Sequence, residues 1–193
     1  VTEIPDGVYE AESFLDNDGR DTGTPLRVKT KVTVNGSDMV IDYTGMNPQV
    51  NSPLNSGHSG GLAAARIAFK CLTLPNAPVN EGCFRPLELI SPEGTMVNAK
   101  SPAAIGLWSV AMPTVVDTIL KALAPALPER IPAAHKADMG GCSFHGFWED
   151  SGKRFLLMNI MGGGWGGKPG GDGESAAMSI CQGDVRNAPI EVQ

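Results

Sequence analysis

Aromatic residues are scarce in this chain, 6% of 193 residues. So thin a supply offers no row of rings for stacking bases. The 15 Lys and Arg are scattered, nowhere denser than Arg27, Lys29 and Lys31, and 21 Asp and Glu bring the net charge to −6. No phosphate-tracking surface follows from that balance, and nucleic-acid binding is excluded as a reading. Long apolar runs are missing as well. No stretch approaches the roughly 18 residues of a membrane span, and the first residues lack the basic-then-apolar order of a signal peptide. A soluble, cytoplasmic protein is the expectation. Cysteine is sparse too: Cys71, Cys83, Cys142 and Cys181 stand alone, never as C-x-x-C. They read as reduced, mostly packed thiols rather than a disulfide framework.

Glycine and proline are plentiful. There are 24 and 15 of them, a fifth of the chain, against a background of about 12%. That frequency excludes helical bundles and coiled coils, and the want of a three-residue period excludes collagen. Hydrophobic residues still make up 41%, enough for a core, and the length suits one compact domain. The chain starts at Val1 without Met, and its end, from Asn187 to Gln193, reads as a strand beginning. Residues 1–193 are therefore expected to be a single segment from the interior of a longer polypeptide.

Along the chain, residues 7–16 suggest an edge strand and 16–23 an Asx- and Gly-rich loop. Leu26, Val28, Thr30, Val32 and Val34 alternate with polar residues, so one face is buried and one wet. Asn35-Gly36 then predicts a hairpin returning through 39–44. From Leu62 the period becomes helical, through Ala65, Phe69 and Leu72, until Pro75. Leu87 to Ile90 reads as a short strand. A second helix is predicted from about Pro113, with Val116, Ile119, Leu120, Leu123 and Leu127 on one face and Pro125 and Pro128 ending it. Phe155 to Ile160 is an apolar strand, and short strands are expected at 176–180 and 189–192. Strands and helices do not alternate as in a doubly wound sheet, so the class is α+β, with mixed or antiparallel strands and two main helices.

Gly162 to Lys168 spells G-G-G-W-G-G-K, which matches seven positions of the phosphate-binding loop G-x-x-x-x-G-K-[ST]. Pro169 stands where a hydroxyl must reach Mg²⁺, and the glycines beyond it cannot open the helix that would hold phosphate. A nucleotide-binding loop is rejected. Two readings remain for Gly162, Gly163, Gly164, Trp165, Gly166 and Lys168: a nest of N–H groups facing an anion or carbonyl oxygen, or a tight loop wrapped around the indole. Lys168 and Asp172 set both charge signs beside these glycines, so Asp172 is a candidate catalytic group. His145 is another, three residues after Cys142, although that proximity alone does not make a dyad. His135, Asp138 and His145 are metal-compatible types, but Pro132 and Gly140-Gly141 argue against a helix that would group them, and no metal site is read here. No serine has a G-x-S-x-G context, so a hydrolase of that type has no support.

The order of several segments resembles the hydantoinase B/oxoprolinase family. They are Ile4-Pro-Asp-Gly-Val-Tyr-Glu-Ala-Glu12, Asp42-Tyr-Thr-Gly45, Asn80-Glu-Gly with Arg85-Pro86, Ser91-Pro-Glu-Gly-Thr-Met-Val-Asn98, Ala122-Leu-Ala-Pro-Ala-Leu-Pro128, and the 162–167 loop with Gly171-Asp-Gly173. They run in family order over almost the whole chain. The resemblance implies the central part of a subunit of an ATP-dependent cyclic amidohydrolase that opens 5-oxoproline, hydantoins or lactams. It also implies a hetero-oligomer in which an A-type partner subunit or domain binds ATP with Mg, and any divalent metal is held upstream of these residues. A ketone carboxylase subunit and a non-catalytic structural segment remain as alternatives. Under the first reading, the 162–168 loop would bind substrate.

Overall fold

The computed structural model of the chain describes residues 1–106, 108–137 and 140–180. Cys181, Asp138 and the strand expected at 189–192 lie outside them. The largest element is a four-stranded mixed sheet in the order β1 (Gly7–Leu15), β2 (Leu26–Asn35), β3 (Asp38–Asp42), β4 (Leu87–Ile90). The β1–β2 and β2–β3 pairs are antiparallel and β3–β4 is parallel. The parallel step needs a crossover, which α1 (His58–Thr73) provides. With α2 (Trp108–Leu123) this makes an α+β fold.

The alternation in β2 is what orients the sheet. Leu26, Val28, Thr30, Val32 and Val34 are all buried, and α2 packs against β1 and β2 over that face. The opposite face carries ion pairs from Arg27 to Glu12, Lys29 to Glu10 and Lys31 to Asp42. Asp42 is itself buried. Burial pushes its carboxyl up, but hydrogen bonds from Lys31 and Thr44 outweigh that and hold it below its ordinary value. Tyr43 beside it is fully buried and donates to the Gly61 carbonyl at 3.0 Å. Burial raises the Tyr43 hydroxyl far above its usual range.

Several local expectations shift. The first hairpin closes on Gly36-Ser37 rather than Asn35-Gly36, since Asn35 still pairs with Asp38. Gly36, at φ 58°, takes the first central position, and its N–H donates to Asp6. Helix α2 begins at Trp108, so Pro113 lies inside it rather than in its first turn. The lost N–H is outweighed because Ala111 and Met112 are buried along with the apolar face beyond them. The three described cysteines are free thiols, exposed or half-buried rather than packed in the core.

A separate antiparallel pair, β5 (Gly140–Phe147) and β6 (Arg154–Met161), forms a second sheet. Sequence reading found β6 but missed β5. Residues 176–180 form no strand. Among the described residues, no helix is long and apolar enough to cross a membrane.

Candidate functional site

After β6 the chain enters 162–168 and meets a segment about thirty residues upstream. Ala133 N–H donates to Gly167, Gly166 N–H to Ala134 and Lys136 N–H to Gly164. On the other side, Gly164 N–H donates to Ala177 and Trp165 N–H to Glu174. The glycine-rich segment is thus hydrogen-bonded on both sides, to residues 133–136 and to residues 174–177, the latter turning through Ser175 and Ala176, where Ala176 has φ 56°. Its return is tight: Lys168 and Gly171 exchange both hydrogen bonds around Pro169 and Gly170, the latter at φ 78°. Proline then glycine with positive φ is the signature of a type II turn. Pro169 therefore builds a turn where a nucleotide-binding loop would start a helix.

Close approach explains the glycines. Gly164 has φ 93°, and a Cβ there would sit 2.8 Å from the Glu174 carbonyl oxygen. At Gly166 it would lie 2.6 Å from the Ala133 side chain. The N–H groups of Gly164, Trp165, Gly166 and Lys168 are all taken up by backbone carbonyls. These four amides do not point at a ligand, so the geometry favours the wrapped-indole reading of the loop over a nest.

Trp165 is held on two sides. Its Nε1–H donates to the Met178 carbonyl at 2.8 Å. Its ring stacks on His135 with centroids 4.6 Å apart and planes 23° apart. The His135 side chain is completely buried, and its Nδ1 lies 3.1 Å from Asp117 Oδ1 on α2. Asp117, His135 and Trp165 form one layered column from α2 to the loop. Sequence reading missed this pairing. It set His135 beside Asp138 by spacing, whereas the actual partner is 18 residues upstream on another element, where no local signal shows it.

The indole borders a cleft of about 330 Å³ lined by Pro132, Trp165, Gly166, Lys168, Asp172, Gly173 and Glu174. Lys168 and Asp172 are thus brought together as the sequence suggested, with Glu174 added. One ammonium and two carboxylates, all on exposed residues, stand beside an aromatic wall. His145 is not part of this cleft; it is exposed on β5. Cys142 and His145, three apart on a strand, point to opposite faces. Among the described residues no three His, Cys, Asp or Glu side chains group as metal ligands. A second, apolar recess of about 470 Å³ lies at the start of α1, between Ile67, Ile105 and Met112.

The sequence profile of the hydantoinase B/oxoprolinase family matches residues 1–193. The B-type subunit of a putative D-/L-hydantoinase from Pseudomonas sp. (strain NS671) is 34% identical over 202 residues, which cover 99% of this chain and 33% of that protein. The crystal structure of an ATP-dependent caprolactamase from Pseudomonas jessenii superposes with a TM-score of 0.86 at 24% identity, over 100% of this chain and 34% of the other. A nucleotide-free acetone carboxylase structure superposes with a TM-score of 0.84 at 15% identity, over 98% and 27%. These two likenesses report the fold. The chain spans about a third of the length of the hydantoinase relative. With its whole length matched, the chain belongs to the hydantoinase B/oxoprolinase family.

Proposed function

We propose that this chain is a segment of the B-type subunit of an ATP-dependent cyclic amidohydrolase, working with an A-type subunit or domain that binds ATP and Mg. The observation that carries this reading is the family match along the whole chain. The cleft beside Trp165 is compatible with it in size and polarity.

An unstrained ring amide is resonance-stabilised and has a poor leaving group, which is why ATP is needed. Transfer of the terminal phosphoryl group to the carbonyl oxygen releases ADP and leaves an imidate. Water then adds at carbon and the carbon–nitrogen bond breaks, so that the amine leaves with a proton and an acyl phosphate remains. A second water hydrolyses the acyl phosphate to the carboxylate and phosphate. The glycine-rich segment does not fit a nucleotide: the loop turns at Pro169 and four of its amides are already bonded. Activation is therefore assigned to the partner. In this reading Trp165 and Lys168 contact the substrate, Asp172 is the candidate base, and Gly162, Gly163, Gly164 and Gly166 let the backbones close around the site. His145, also a candidate in sequence, has no role in the cleft.

The test is co-expression of the full-length subunit with its A-type partner, followed by measurement of ADP release with 5-oxoproline, hydantoin, caprolactam or acetone plus bicarbonate. Ring-opened product in step with ADP supports the proposal. ADP release only with acetone and bicarbonate, with label from bicarbonate in the product, overturns it in favour of a carboxylase.

A further inference from the structure

Strands β5 and β6 form a two-stranded ribbon with large apolar side chains on both faces. Phe144 is directly opposite Leu157, and alternation puts Met161 on that same face. Phe147, Leu156 and Met158 lie on the other face. All six are exposed: Leu157 is 52% exposed on one face and its neighbour Leu156 71% on the other. Among the described residues, neither strand contributes to the buried core or to the apolar side chains packed against it. A sheet with one wet face alternates apolar and polar residues, whereas strands apolar on both sides belong to sheets covered on both. Strand β6 is of the second kind, with Asn159 the one polar residue between Phe155 and Met161. Two strands alone are also marginal in water, and a contiguous exposed apolar patch marks a surface that meets another.

We propose that both faces of this ribbon are packed inside the B-type subunit by segments of the same polypeptide outside these 193 residues, and not by the A-type partner or a second copy. This rests on the reading of the chain as a segment of that subunit, whatever ring the subunit opens. Two observations select the occupant. The first is that both faces are apolar. A separately folded chain docks from one side and covers one face, which would leave the other in water; layers on both sides arise when the covering segments fold together with the ribbon. The second is length. This chain spans 33% of the hydantoinase relative and 34% of the caprolactamase chain on which it superposes, so about two-thirds of such a polypeptide is available to supply the layers. Strand β6 runs directly into Gly162, so the layer over Met161 adjoins the loop that lines the cleft beside Trp165.

The experiment is peroxide oxidation of the wild-type full-length subunit without its partner, followed at each methionine by peptide mass spectrometry. Oxidation of methionine follows its exposure, and Met158 and Met161 report the two faces separately. Met39 and Met96, fully buried in the core, set the slow limit, and the denatured subunit sets the fast one. Met158 and Met161 should both oxidise at least about 10-fold more slowly than in the denatured subunit, and dilution should leave both rates unchanged. Either methionine reacting at the denatured rate overturns the inference. So does protection that appears only when the A-type partner is added, which would make that face the subunit interface. Protection that fades on dilution overturns it as well, in favour of a contact between copies. None of these results depends on turnover, so the cyclic-amide reading stands or falls separately. A native polypeptide consisting of these 193 residues alone overturns both this inference and the segment reading on which it rests.

Discussion

Replacing Gly164 with alanine tests how the glycine-rich segment works. Gly164 has φ 93°, and the added Cβ would lie 2.8 Å from the Glu174 carbonyl oxygen and 3.4 Å from the Ala176 nitrogen. Placing an L-residue in the left-handed region costs roughly 1–2 kcal/mol. Pressing a methyl group against backbone that cannot rotate away adds about 1–3 kcal/mol. Together about 2–5 kcal/mol is expected, since the carbonyl belongs to the hydrogen bond that Trp165 N–H makes. Gly170 supplies the control: its φ is 78° but nothing lies within 4 Å of a Cβ there. Gly170→Ala should show only the strain, about 1–2 kcal/mol. Denaturant melts of the full-length subunit would give both numbers, and hydrogen exchange at the amides of Gly164, Trp165 and Gly166 would localise the loss. Turnover per folded molecule should change little. Two results would refute the reasoning. One is Gly164→Ala no more damaging than Gly170→Ala. The other is a fall in turnover of about 10²–10³ at intact stability, the mark of a lost oxyanion donor.

Other parts of the fold give sharper tests of their own. Leu123→Ala, at a fully buried position of α2, should cost about 2–5 kcal/mol in denaturant melts; a loss under about 0.5 kcal/mol would show the helix face to be misassigned. The Asp42 carboxyl is held below its ordinary 3.8 and the Lys31 ammonium above its ordinary 10.5. The pair's stabilisation should therefore be present between those values. It should be lost as pH falls through the depressed Asp42 value, and lost at the other end as pH rises through the raised Lys31 value. Asp42→Asn should remove both limbs from a plot of melting temperature against pH, and limbs that persist would place their origin elsewhere. The full-length subunit without its partner should show no ATP binding by calorimetry, because the 162–168 segment makes a type II turn where a phosphate site needs a helix; a micromolar Kd would contradict that.

The parts legible in the sequence were those whose signal is local. The alternation in β2 needs nothing beyond its own residues, and the helical spacing from Val116 to Leu123 likewise marks its own buried face. Where a partner decides the structure, the sequence was silent. Strand β5 contains Gly140, Gly141 and Gly146, poor strand formers, and is extended because β6 pairs with it along its whole length. Pro113 is a good first-turn residue by local rules, yet burial of Ala111 and Met112 extends α2 past it. The density of glycine from 162 to 167 was visible but its cause was not, since residues 133–136 approach from far upstream.

The same distinction bears on what family resemblance means here. The motifs that carry it are mostly builders. Asp6 caps the Gly36 turn, Asp42 pairs with Lys31, and Tyr43 reaches Gly61. Glu81 pairs with Arg66, and Met96 and Val97 are fully buried. Each of these groups has its bonds satisfied or its surface covered within the chain, so each accounts for the fold and asks for no ligand. Chemistry is to be sought among groups the fold leaves incomplete. Among the described residues Lys70 Nζ, Ser91 Oγ, His135 Nε2 and Ser179 Oγ are such groups, and of these only Ser91 stands in a motif that carried the resemblance.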